Sequence, residues 1–134
     1  MERLIVFMAC MLSSLNLNAN DSVDYKSCLK NAQGETYSIL SCIDIETRKV
    51  ESRIKSLLTK EKYVDQVVDI VKDLEGYYTL QRELISNKCD TYNKIYPGGQ
   101  GALLLEKECI LSSMESENRL IEDIISTAEF EYGN

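Results

Sequence analysis

Cys89-Asp90-Thr91-Tyr92-Asn93-Lys94-Ile95-Tyr96-Pro97-Gly98-Gly99-Gln100-Gly101, continuing to Cys109, is the stretch that decides the fold. Apolar residues at helical spacing approach Pro97–Gly101 from both sides. Proline cannot continue a helix, and the glycines accept the positive φ angles of a reversal, so the chain doubles back here and Cys89 comes to face Cys109. The pattern is that of a helical hairpin closed by a disulfide. An earlier copy lies where Cys28 and Cys42 flank Gln33-Gly34-Glu35.

The amino-terminal residues have a different character. Arg3 supplies a basic start, Leu4 to Leu12 is almost unbroken apolar sequence, and Ala19 is a small residue before Asn20. This is the pattern of a secretory signal peptide over residues 1–19, and the run is shorter than the roughly 20 residues a bilayer span requires. Cys10 lies within the run, where lipidation would need a longer leader. Residues 20–134 then form one domain, exported to the periplasm or secreted, with no membrane span expected in the mature chain.

Loss of Cys10 with the leader leaves Cys28, Cys42, Cys89 and Cys109. An even number in a small exported chain points to two disulfides, and the hairpin argument selects Cys28–Cys42 and Cys89–Cys109 among the three possible pairings. Zinc is disfavoured, since the chain has no histidine and no Cys-x-x-Cys. The formal charge of -7 is unchanged by removing Glu2 with Arg3. An acidic balance argues against a nucleic-acid partner, which needs clustered Lys and Arg, and is compatible with a basic protein partner, although keeping an exported protein soluble accounts for most of it.

A short helix is expected from Asp21 to Asn31, capped by Asp21 or Ser22. After Gly34, Thr36 is the expected cap of a long helix with Ile39, Ile43, Val50, Ile54 and Leu57 on one face and Glu46 in its one polar position. Thr59–Lys62 marks a break. Val64 to Leu74 has helical spacing despite its valines, Gly76 is a possible bend or end, and Tyr77 resumes a pattern through Leu80, Leu84, Ile85, Cys89, Tyr92 and Tyr96. Whether these two segments are one rod is open. Beyond Gly101, Leu104, Ile110, Met114, Ile121, Ile124 and Ala128 form the inner face of the last helix. The expected fold is an all-α, small antiparallel helical domain of about four or five helices stapled by two disulfides.

Nothing in the sequence gathers catalytic chemistry. The commonest general base is missing with histidine. Glu106 with Glu108, and Glu115 with Glu117, are two apart and diverge on a helix. Ser112-Ser113 beside Lys107 lacks an orienting group. The glycines after Pro97 lack the lysine and strand of a phosphate loop, so no cofactor is expected and a non-enzymatic role is. Eight tyrosines without a tryptophan read first as core and amphipathic covering, and alternatively as a recognition surface. An exposed, stapled loop would offer it already ordered, which makes Tyr96, Pro97, Gly98, Gly99 and Gln100 the candidate partner contact.

Cys28-Leu29, Cys42 with Glu46, Ile54, Leu57-Leu58, Gln81, Cys89, Gly98-Gly99, Cys109-Ile110 and Arg119-Leu120 together resemble the lysozyme inhibitor LprI-like N-terminal domain family. The resemblance covers nearly all of the mature chain. It implies a small exported bacterial helical domain that inhibits lysozyme. Where that family has a tryptophan and an Arg-Asp pair before the third cysteine, this chain reads Leu84-Ile85-Ser86-Asn87-Lys88, and Leu84 is expected to fill the tryptophan's core space. The resulting expectation is an inhibitor of lysozyme or a related peptidoglycan hydrolase, steered to a basic partner by its acidity. The alternative is an accessory or structural envelope protein that binds another periplasmic protein.

Overall fold

Helical periodicity governs the whole described chain. The computed structural model describes residues 19–133, and every regular element among them is helical: α1 (Ala19–Asn31), α2 (Thr36–Leu57), a 3-10 turn (Lys60–Lys62), α3 (Asp65–Cys89), α4 (Thr91–Ile95) and α5 (Gln100–Tyr132). Both expected disulfides are formed, with Cα separations of 5.8 Å for Cys28–Cys42 and 5.6 Å for Cys89–Cys109. The expected leader, Met1 to Ala19 with Cys10, lies outside the described residues except for Ala19, which opens α1.

Cross-helix contacts fix the directions. Gln100 at the start of α5 meets Tyr37 at the start of α2, and further along both helices Lys107 pairs with Asp44 at 3.1 Å, so these two are parallel. Helix α3 runs against both. Tyr77 and Cys89 meet Glu117 and Cys109 of α5, while Arg82 and Glu75 meet Glu51 of α2 and Lys60 beyond it. The three long helices are therefore up, down and up, with α1 folded back on α2 and α4 laid on α5. Their common core includes Ile43, Val50 and Ile54 of α2, Val67 and Val71 of α3, and Ile121 of α5.

Several local expectations are corrected. Glu35, not Thr36, is the N-cap of α2: its carboxylate accepts from the Ser38 backbone N–H at 2.8 Å and from the Ser38 hydroxyl. A longer acidic side chain reaches the free N–H groups of the first turn and complements the helix dipole. Asp21 and Ser22 do not cap α1, which already begins at Ala19. The middle segments merge into one rod. Gly76 sits inside α3, where its propensity cost of about 1 kcal/mol is outweighed by burial of Leu74 and Tyr78 on either side.

Two inner faces are met in part: Val67, Val71, Leu74 and Cys89 of α3 and Met114, Ile121 and Ala128 of α5 are buried as expected, and other positions differ. On α3, Ile85 is buried while Leu80 and Leu84 are 64% and 58% exposed, so Leu84 does not occupy a core position. On α5, Leu111 and Ile125 are buried while Leu104, Ile110 and Ile124 are only partly covered. Glu46 is buried as the stripe implies, at 5% exposure. Its carboxylate lies 3.4 Å from Arg53 and 3.7 Å from Lys49, which in turn pairs with Asp24 of α1.

Candidate partner-binding surface

The turn expected between Tyr96 and Gln100 is built as its residues dictate. Pro97 holds the second place and Gly98 the third with φ 74°, and the Gly99 N–H donates to the Tyr96 carbonyl at 3.4 Å. Proline followed by a positive-φ glycine is the requirement of a type II turn. Gly99 then caps α5 with extended backbone. Below the turn, Asn93 donates to Glu106 at 2.5 Å and the Cys89–Cys109 bond joins the flanking helices. All five candidate contact residues, Tyr96, Pro97, Gly98, Gly99 and Gln100, are exposed.

A second turn reaches the same end of the bundle. In Ala32-Gln33-Gly34-Glu35 both central residues have positive φ, 50° and 82°, and the Glu35 N–H donates to the Ala32 carbonyl at 2.8 Å. Positive φ at both central positions is the type I′ condition. Because α2 and α5 are parallel, their N-termini lie side by side, and the Gln100 side-chain amide donates to the Tyr37 hydroxyl at 3.4 Å. The result is a tip carrying Tyr37, Ile95 and Tyr96, exposed at 69%, 57% and 57%. Sequence reasoning missed Tyr37, although Gly34 marked the turn beside it. The missing signal was the direction of α2 relative to α5, which no local pattern carries.

Next to the tip, a groove of about 570 Å³ is lined by Lys88, Thr91, Tyr92, Ile95, Cys109 and the serines Ser112 and Ser113. Its lysine and its two serines are engaged. Lys88 donates to the Ser113 hydroxyl at 2.7 Å and Ser112 donates back to the Cys109 carbonyl at 3.1 Å. Lys107 is turned away to Asp44, so it is not paired with these serines. Within each pair the glutamates diverge: Glu106 accepts from Asn93 and Glu117 from the Tyr77 hydroxyl at 2.8 Å, whereas Glu108 and Glu115 both act on Tyr25 of α1. Among the described residues no group of three or more His, Cys, Asp or Glu could hold a metal ion, and no helix is long and apolar enough to cross a membrane.

The charge is unevenly placed. Ile95 to Leu105 contains no charged residue, whereas α5 between Glu115 and Glu131 has six carboxylates against Arg119. At about 1.5 Å per residue, Glu122 lies on the order of 30 Å from Gln100 along the helix. The acidity therefore does not surround the turn. Tyr25 of α1 lies near the start of this acidic run, and its pKa is raised by burial first and then by Glu108, Glu115 and Glu46.

Searches of curated proteins and of solved structures each return no match. A protein-family model described as antitoxin TsiV3 matches residues 33–129, from the α1–α2 turn to the last turns of α5. The match is not to the LprI-like family that the cysteine pattern resembles, but it is to a protein of related kind. It spans well over half the chain, three of the four disulfide cysteines and all of the Tyr96–Gln100 turn, and on that extent the chain belongs to the antitoxin TsiV3 family.

Proposed function

We propose that this protein is an exported, non-enzymatic antitoxin that binds and inhibits a peptidoglycan hydrolase of the lysozyme kind by occluding its cleft. The observation that carries this reading is the family match across the helical domain, because an antitoxin acts by engaging a protein partner. Two disulfides support an oxidising compartment outside the cytoplasm. The leader-like residues 1–19 support the same route. A braced, exposed turn supports occlusion, since a loop ordered before binding loses little entropy on docking.

The test is protection of a cell. A bacterial host that exports a basic animal-type lysozyme to its periplasm lyses, and co-production of the full chain is expected to prevent lysis. The same chain without residues 1–19 is expected to give no protection, because it stays in the cytoplasm. Undiminished lysis with the full chain folded and exported would overturn the hydrolase reading. Equal protection by both forms would overturn export.

A further inference from the structure

We infer that the recognition surface is bipartite: the Ala32–Glu35 turn with Tyr37 supplies its second half, and both halves together enter a neutral, glycan-binding cleft. The inference rests on the inhibitor reading and specifies which surface acts and what it meets.

Three observations carry it. The two turns share a seam, the Gln100 to Tyr37 hydrogen bond of 3.4 Å. Each turn also has its own disulfide behind it, through Cys42 in α2 and Cys109 in α5, so both halves are held in place before a partner arrives. Such ordering favours affinity by lowering the entropy lost on association.

The charge pattern identifies the occupant's chemistry. Residues 95–105 are uncharged, and the lysines nearest them are already neutralised, Lys94 by Asp90 at 3.3 Å and Lys107 by Asp44 at 3.1 Å. The second turn has Lys30 before it and Glu35 within it, a formal balance of zero, and the hydrogen bonds from Ser38 hold the Glu35 pKa below the usual value and so keep it ionised. Beside that pair, the tip exposes Tyr37, Tyr96, Ile95, Pro97, the amides Gln33 and Gln100, and backbone. Tyrosine combines a flat apolar face with a hydroxyl, the same combination a pyranose ring presents to a cleft lined by aromatic and hydrogen-bonding groups. A strongly basic groove would instead select the carboxylate-rich end of α5.

The experiment places a photo-crosslinking amino acid singly at Tyr37, Tyr96, Leu80 and Phe130 of the oxidised protein. The probe is a basic animal-type lysozyme, and inhibition is measured in parallel. Adducts from positions 37 and 96, mapped to the lysozyme cleft, and none from 80 or 130, are the expected result. Tyr37→Ala and Tyr96→Ala should each weaken inhibition on the order of tenfold with unchanged helical circular dichroism. Adducts from 96 without 37, with Tyr37→Ala inhibiting fully, would overturn the bipartite surface. Inhibition with adducts only from 80 or 130 would overturn the tip while leaving the proposed function standing. Neither inhibition nor adducts at micromolar protein would overturn both.

Discussion

Tyr77 and Tyr78 are neighbours on α3 in opposite circumstances. The Tyr77 hydroxyl donates to Glu117, while that of Tyr78 is buried without a hydrogen-bond partner. Removing a satisfied hydroxyl loses a bond, whereas removing an unsatisfied buried one relieves a desolvation cost. Tyr77→Phe should therefore destabilise by about 1 kcal/mol, and Tyr78→Phe should be neutral or stabilising by up to about 1 kcal/mol. Urea unfolding at neutral pH measures both; the same sign and size for the two would contradict the assignment. The Tyr77 pKa is raised, by burial first and by Glu117 second. Its contribution is complete below the usual tyrosine value of about 10 and is lost as pH rises through the folded-state value. The stability gap between wild type and Tyr77→Phe should accordingly narrow in strong alkali.

At the scale of elements, the sequence spoke clearly where a stripe was regular and flanked by charge. Ile43, Val50 and Ile54 lie where their spacing placed them, and the polar break before α3 is the 3-10 turn. On α3 the stripe was ambiguous, because Leu84 and Ile85 are adjacent and either could face inward. Packing against α5 selects Ile85, leaving Leu84 in a second, adjoining groove with Gln81, Lys88 and Ser116. Ile85→Ala should cost about 2–4 kcal/mol and Leu84→Ala less than about 0.5 kcal/mol. Equal costs in thermal unfolding would reverse the register. Gly76 left the continuity of α3 open, because propensity alone cannot see the burial on both sides of it. A Cβ there meets nothing within 4 Å, so Gly76→Ala should stabilise by about 0.5–1 kcal/mol. A destabilised variant would show that α3 needs its glycine for a bend.

The molecule as a whole is a three-helix bundle with a doubly stapled end, whose Ile95–Leu105 stretch is uncharged, and a run of six carboxylates on the far half of α5. The two staples were legible because hairpins bring their own cysteines together. The joint tip was not, since it depends on α2 and α5 being parallel, a relation between elements 63 positions apart. Each disulfide closes a short loop, 14 or 20 residues in separation, so loss of either should cost about 3 kcal/mol in the chain-entropy model. Chemical unfolding of Cys28→Ala/Cys42→Ala and of Cys89→Ala/Cys109→Ala measures each cost, and no loss in either would contradict the role of the staples. The charge distribution also revises the expectation from composition. With a Debye length of about 8 Å at physiological salt, carboxylates on the far half of α5 contribute little at a contact made by the tip.

The central claim is that a stapled, neutral tip inhibits a glycan-cleaving hydrolase. Its most direct measurement is the inhibition constant against a basic animal-type lysozyme, for oxidised and reduced protein, at low and physiological salt. The account predicts inhibition by the oxidised protein that changes less than about tenfold between the two salts, because rim charge affects on-rate and salt dependence more than a neutral contact does. Reduction should abolish it. Absence of inhibition at micromolar protein would contradict the hydrolase reading, and a collapse of affinity with salt would move the contact from the tip to the acidic end of α5.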